Sequence, residues 1–155
     1  MPRTVQENSS PSSFGVGVLL AVGLALAPSL SGADVSPRQL QRGEYLATRV
    51  GMCGDCHTPL DDKGEPDRAH ALQGAPIDFQ PAHPVPGWAT VAPPIAGLPG
   101  WSDAAALKFL ETGIAPNGKR AAPPMPWYRF SRSDAEALLA YLRSLGTSAA
   151  KPAEK

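Results

Sequence analysis

Apolar residues recur at helical spacing in three stretches of this chain, and between them the pattern dissolves. The first stretch starts at Pro37 and ends near Val50-Gly51, with Leu40, Gly43, Ala47 and Val50 on one face. Ser36 is a good N-cap, Pro37 suits the first helical position, and Gln39 completes a capping box. Gly43 weakens such a helix, so a close backbone approach by another element would account for it. The second predicted helix spans Asp103 to Thr112, capped by Ser102 and stopped by Gly113. Its buried face is Leu107 and Leu110 with Ala106 or Ala104. The third spans Asp134 to Leu145. Ser133 and Glu136 are spaced as a capping box, and Gly146 follows the last turn. Ala135, Leu138, Leu139, Leu142 and Leu145 form its apolar stripe.

Residues 58–100 carry no such period. Pro59, Pro66, Pro76, Pro81, Pro84, Pro86, Pro93, Pro94 and Pro99 argue against regular helix or central strand there. The stretch is too long for an ordinary connection. Wrapping a prosthetic group would explain its length.

The ends of the chain read differently. Phe14 to Ala27 is uninterrupted apolar and glycine sequence, about 14 residues against the ~20 needed to span a bilayer. Arg3 gives a weakly positive start, diluted by Glu7, and Ser31-Gly32-Ala33 is a small-x-small site. Residues 1–33 are therefore expected to be an export signal cleaved after Ala33, the alternative being an uncleaved membrane anchor. Residues 34–146 form one small domain, and 147–155 a disordered tail. With 14 basic and 14 acidic residues, nothing suggests nucleic-acid binding. Eighteen prolines and fifteen glycines predict short helices joined by long, stiff loops. A domain of this size has limited room for an apolar core of its own.

The candidate chemistry lies just after the first helix, in Cys53-Gly54-Asp55-Cys56-His57, which contains both cysteines of the chain. This is the C-x-x-C-H attachment signal for a c-type haem. Each thiol can add across one haem vinyl group, and the two-residue gap lets one helical turn present both sulfurs to one porphyrin edge. His57 is then placed to ligate the iron. A disulfide, a thiol redox pair and half a zinc site are the alternatives. Zinc needs four ligands, and there is no second C-x-x-C. His70 and His83 could complete a set, but their separation fits no zinc-finger pattern. No βαβ pattern surrounds the motif, as a thioredoxin-like site would require. A bound haem would also supply much of the missing apolar volume. Such attachment takes place outside the cytoplasm, where bare thiols tend to oxidise, so they must be kept reduced until haem arrives.

Taken together, these residues resemble class I cytochromes c. The resemblance rests on the first helix with its internal Gly43, the C-x-x-C-H, Pro93-Pro94-Ile95-Ala96-Gly97, Thr112-Gly113 with Pro116-Asn117-Gly118, Pro123-Pro124-Met125-Pro126, and Ala140-Tyr141-Leu142-Arg143-Ser144-Leu145. It covers nearly all of the chain after the signal. Within the class, the chain looks most like small monohaem partners or subunits of exported bacterial dehydrogenases. The resemblance implies an all-α small cytochrome c fold, with three main helices and long Pro/Gly-rich loops wrapped around one covalent haem c. It implies thioethers at Cys53 and Cys56, His57 as proximal iron ligand and Met125 as distal ligand. His70 or His83 could give bis-histidine ligation instead, or both could be solvated loop residues. Met52 adjoins the attachment turn and cannot easily reach the opposite face, and Met1 lies in the signal. The proximal histidine of the family donates to a proline carbonyl, and Pro93 is the matching position, with Pro94 beside it. Gly43 and the Tyr141 face would meet where the terminal helices cross. Trp101, Trp127 and Tyr128 either pack on the haem, donate to its propionates, or fill the core.

Both axial sites would be filled, so the implied role is electron carriage and not catalysis. The expected donor is an exported dehydrogenase, the acceptor an oxidase or another cytochrome, and the location the periplasm. A haem-based sensor or ligand-binding protein, with a labile sixth ligand, is the alternative. Lys119, Arg120, Arg129 and Arg132 bracket the methionine loop with no acidic residue among them, whereas the loop after the haem motif is acidic. The basic side is either a docking face for an acidic partner or an evenly solvated surface.

Overall fold

Ser36 opens the first helix: its Oγ accepts from the Gln39 amide at 3.2 Å, and α1 runs Pro37–Tyr45. The computed structural model describes residues 35–148, so the expected signal segment and residues 149–155 lie outside the described residues. Beyond Tyr45 the helix widens into one π-helical turn, Leu46–Val50, closed by Gly51 N–H to Leu46 O at 2.7 Å. The extra residue in this turn rotates the face that follows it. Leu46 and Ala47 enter the core, and Val50, expected on the buried face, is 47% exposed.

Helix α2 is the single turn Gly54–His57. The loop after it holds a 3-10 turn, Arg68–His70, and an antiparallel pair, β1 (Ala75–Pro76) with β2 (Val91–Ala92), in the register Ala75 to Ala92. The all-α expectation is amended by this two-stranded pair. It tolerates Pro76 because two strands are both edges, where a missing N–H is not needed.

Helix α3 is Asp103–Thr112. Ser102 Oγ accepts from Ala105 N at 3.3 Å, and Gly113 stops the helix at φ 70°, its N–H bonded to Phe109 O at 2.7 Å. Leu107, Leu110 and Ala106 are its buried residues. Truncating the cap in Ser102→Ala should cost about 1 kcal/mol, read as a lower midpoint in chemical denaturation.

Helix α4 is Arg132–Ser148 and departs from expectation at both ends. Ser131, not Ser133, caps it, accepting from Asp134 N at 3.2 Å. Glu136 does not close a capping box but takes the Arg132 guanidinium at 2.7 Å. Gly146 is not a stop, because the helix continues through Thr147 and Ser148, which were expected in the tail. A Cβ on Gly146 would fall 2.5 Å from the Gly97 Cα, so this glycine serves a close approach between backbones.

The terminal helices cross at Gly43. A Cβ there would lie 2.1 Å from Ala137 O and 2.6 Å from Tyr141 Cβ. Arg42 and Asp134 close the same crossing at 2.8 Å. Leu46, Ala47, Leu107, Leu110, Leu138 and Leu142 build the core between α1, its π-helical turn, α3 and α4. Arg143 ties α4 to the segment before α3, donating to the carbonyls of Gly97, Leu98 and Trp101 and pairing with Asp103. Among the described residues, no helix is long and apolar enough to cross a membrane.

Candidate functional site

The attachment motif forms on its own short turn because Met52, at φ 45°, redirects the chain out of the π-helical turn. Asp55 N–H then bonds Met52 O at 3.1 Å and His57 N–H bonds Cys53 O at 3.0 Å. Cys53, Cys56 and His57 therefore share one turn, as their spacing requires. Cys53 and Cys56 are half-buried and form no disulfide, and His57 is 6% exposed.

The long loop hangs from this turn. Gly74 N–H bonds His57 O at 2.8 Å, and Leu72 N–H bonds Thr58 Oγ1 at 3.0 Å. Leu72 O in turn accepts from Ile95 and Ala96. These bonds bring Pro93 over the imidazole, and His57 Nδ1 lies 2.7 Å from Pro93 O. A carbonyl can only accept, so Nδ1 carries the proton and donates, leaving Nε2 with its lone pair. Burial pushes the His57 pKa down, with the bond to Pro93 opposing it. The ring is thus held neutral and in the tautomer a metal ion binds through Nε2.

Burial raises the Cys53 thiol to about 11, with smaller contributions from Asp55 and Cys56. A thiol so placed is almost wholly protonated at neutral pH, unlike the reactive thiolates of redox pairs. Among the described residues, no group of three or more His, Cys, Asp or Glu side chains is arranged to hold a metal ion.

Met125 is half-buried in the loop between α3 and α4, its N–H bonded to Ala122 O at 3.1 Å. The loop is tied on both sides. Ala89 N–H bonds Pro123 O at 2.7 Å, and the Tyr128 hydroxyl donates to Gly51 O, two residues before Cys53. His70 sits exposed on the 3-10 turn with its Nδ1 2.6 Å from Asp67, and His83 and Met52 are exposed.

The aromatic residues singled out by sequence have partners of their own. Trp101 meets Phe109 edge to face at 5.2 Å. The Trp127 N–H donates to Ala121 O at 2.9 Å, and the Tyr128 ring stacks on Phe130 at 5.1 Å. Sequence reasoning missed Trp88. Among the described residues its Nε1 is buried without a hydrogen-bond partner, while its ring meets Phe79 edge to face at 5.7 Å. An indole N–H so placed calls for an acceptor from beyond those residues. No pattern in the sequence marks it, since the deficit exists only after folding.

A c-type haem fits these residues. It brings an iron for the lone pair of His57, vinyl groups for two thiols on one turn, and carboxylate acceptors of the class Trp88 lacks.

Comparison with known proteins points the same way. The family model for cytochrome c matches residues 40–146. The fructose dehydrogenase cytochrome subunit of Gluconobacter japonicus is 32% identical over 113 residues, covering 70% of this chain and 22% of that protein. The cytochrome c subunit of alcohol dehydrogenase (quinone) from Gluconacetobacter polyoxogenes is 33% identical over 126 residues, covering 69% of this chain and 24% of that one. A diheme cytochrome c-type protein of Cereibacter sphaeroides is 29% identical over 115 residues, covering 71% and 36%. The chain thus spans between 22% and 36% of the length of these relatives. With the attachment turn, its histidine and the matched segment in agreement, the chain belongs to the cytochrome c family.

Proposed function

We propose that the chain is a periplasmic monohaem electron carrier, accepting single electrons from an exported dehydrogenase and passing them to an oxidase or another cytochrome. The observation that carries this reading is the His57–Pro93 bond on the turn that also holds Cys53 and Cys56. Cys53 and Cys56 would hold the haem by thioethers, and His57 and Met125 would fill its axial positions. One motif in the sequence corresponds to one haem. When bound, haem c supplies an iron that takes up and releases one electron.

The residues of the chain then have a mainly static task. Pro93 fixes the tautomer and direction of the imidazole. Pro124 and Pro126 stiffen the backbone on either side of Met125. The bonds from Ala89 and Tyr128 hold its loop against the rest of the site. A shell held this firmly limits the rearrangement that accompanies each transfer. With His57 and Met125 both given to the iron, the chain would act as a carrier or as the electron-transfer subunit of an oxidoreductase and would carry out no bond chemistry of its own. Two relatives bear names of dehydrogenase cytochrome subunits, which supports the choice of donor. The expected export signal at 1–33 supports the compartment, with membrane association if that segment stays uncleaved.

Met125→Ala tests the reading. The ferric variant should lose the sulfur-to-iron charge-transfer band, and the ferrous variant should bind carbon monoxide while the native protein does not. An unchanged band would remove Met125 from the iron. Prompt, stoichiometric carbon monoxide binding by the native protein would favour a haem-based sensor instead.

A further inference from the structure

Among the described residues, one hydrogen bond joins the two segments proposed to carry the axial ligands, 51–57 and 122–130. The Tyr128 hydroxyl, three residues after Met125, donates to the carbonyl of Gly51, 77 positions away in sequence. That carbonyl is left over by the backbone around it. Gly51 closes the π-helical turn, and Met52 at φ 45° then turns the chain away. The next turn starts its bonds one residue later, with Asp55 N–H on Met52 O at 3.1 Å. Gly51 is buried, so its carbonyl needs a donor, and Tyr128 supplies it. The contact is close on every side. A Cβ on Gly51 would lie 3.1 Å from Leu46 O, 3.3 Å from Cys53 Sγ and 3.6 Å from the Tyr128 hydroxyl oxygen.

The phenol is itself held from behind. Its ring stacks on Phe130 at 5.1 Å, and the Phe130 N–H bonds Leu110 O, in the last turn of α3, at 3.1 Å. On the other side of Met125, Ala89 N–H holds Pro123 O at 2.7 Å. Met125 is thus slung between two anchors. Methionine is unbranched and flexible, so its sulfur is only as well placed as the backbone beneath it. A tethered ligand competes with free ones through its effective concentration, which the tether sets.

We infer that Tyr128 is a positioning residue for the sixth ligand: its bond to Gly51 keeps Met125 on the iron and sets how readily an outside ligand replaces it. The inference rests on Met125 being the distal ligand, as proposed above, and adds the residue that governs its exchange. The bond runs to the segment that carries Cys53 and His57, so it fixes the methionine loop against the element that anchors the haem. Loss of the hydroxyl frees the loop on one side of the sulfur and leaves the anchor at Pro123 on the other.

The test is titration of the intact ferric haem-loaded protein with imidazole, followed in the sulfur-to-iron band. An imidazole nitrogen takes the place of the sulfur, and the iron stays ferric throughout. Tyr128→Phe keeps the ring and removes only the donor. It should bind imidazole about tenfold more tightly than the native protein, the size of one lost buried hydrogen bond. Ser102→Ala, which weakens the α3 cap and leaves the Tyr128 bond alone, should bind imidazole as the native protein does. In a Met125→Ala background there is no sulfur to displace, so adding Tyr128→Phe should change nothing further. Equal affinity in Tyr128→Phe and the native protein overturns the inference, while the native band upholds Met125. Equal tightening in Tyr128→Phe and Ser102→Ala, or tightening that persists without Met125, overturns it too and leaves Tyr128 a structural residue. A native protein without the band overturns the axial reading beneath the inference.

Discussion

Replacing Cys53 and Cys56 together by alanine is expected to yield a protein with no haem that survives denaturing electrophoresis. The two sulfurs are the only thiols in the chain, so no other residue can form a thioether. The loss should be complete where each single variant is partial, because one remaining sulfur still tethers one vinyl edge. Haem stain on the gel reads the tether, and total pigment before denaturation reads binding without it. The double variant should also unfold at lower temperature. His57 Nε2 and the Trp88 N–H would be left unpaired in the interior, each carrying a desolvation cost of about 1–3 kcal/mol. A double variant that stains like the native protein would remove these cysteines from the account.

Gly43→Ala is expected to be the most damaging single methyl in the fold. Alanine is the better helix former by about 1 kcal/mol, so an isolated α1 would gain. Here the added Cβ would lie 2.1 Å from Ala137 O and 2.8 Å from Ala137 C. Both are backbone atoms of α4, and no rotamer change can move them aside. The helices must part, opening the crossing that Leu46 and Leu138 seal. Overpacking of this kind costs about 3 kcal/mol, occasionally more. The melting temperature of the haem-loaded protein should drop by roughly 10 °C. A variant melting with the native protein would mean that α1 slides on α4 freely.

Local chemistry was legible in the sequence where one residue type has one use. Ser36 and Ser102 cap as expected, and Gly113 stops α3 in the left-handed region. Glycine at 146 reads the same on paper, yet it serves contact with Gly97 and the helix passes through it. Ser131 and Ser133 are both competent caps, and only the bond to Asp134 N–H distinguishes them. The π-helical turn escaped because Gly43 and Ala47 fit an ordinary helix equally well up to the point where Val50 turns outward. In the site, the spacing of Cys53, Cys56 and His57 sufficed to place them on one turn. The choice of Pro93 over Pro94 for the imidazole needed the loop's long-range bonds. So did the deficit at Trp88, which depends on what surrounds the indole once the chain has closed.

The pairing of α1 with α4 is also a clasp of long reach. Arg42 meets Asp134, its partner 92 positions downstream. Cys53, His57, Pro93 and Met125 all fall within the stretch of chain that this contact closes into a loop. Shutting so long a loop costs little more entropy than shutting one half its length, and undoing the crossing would loosen all four together.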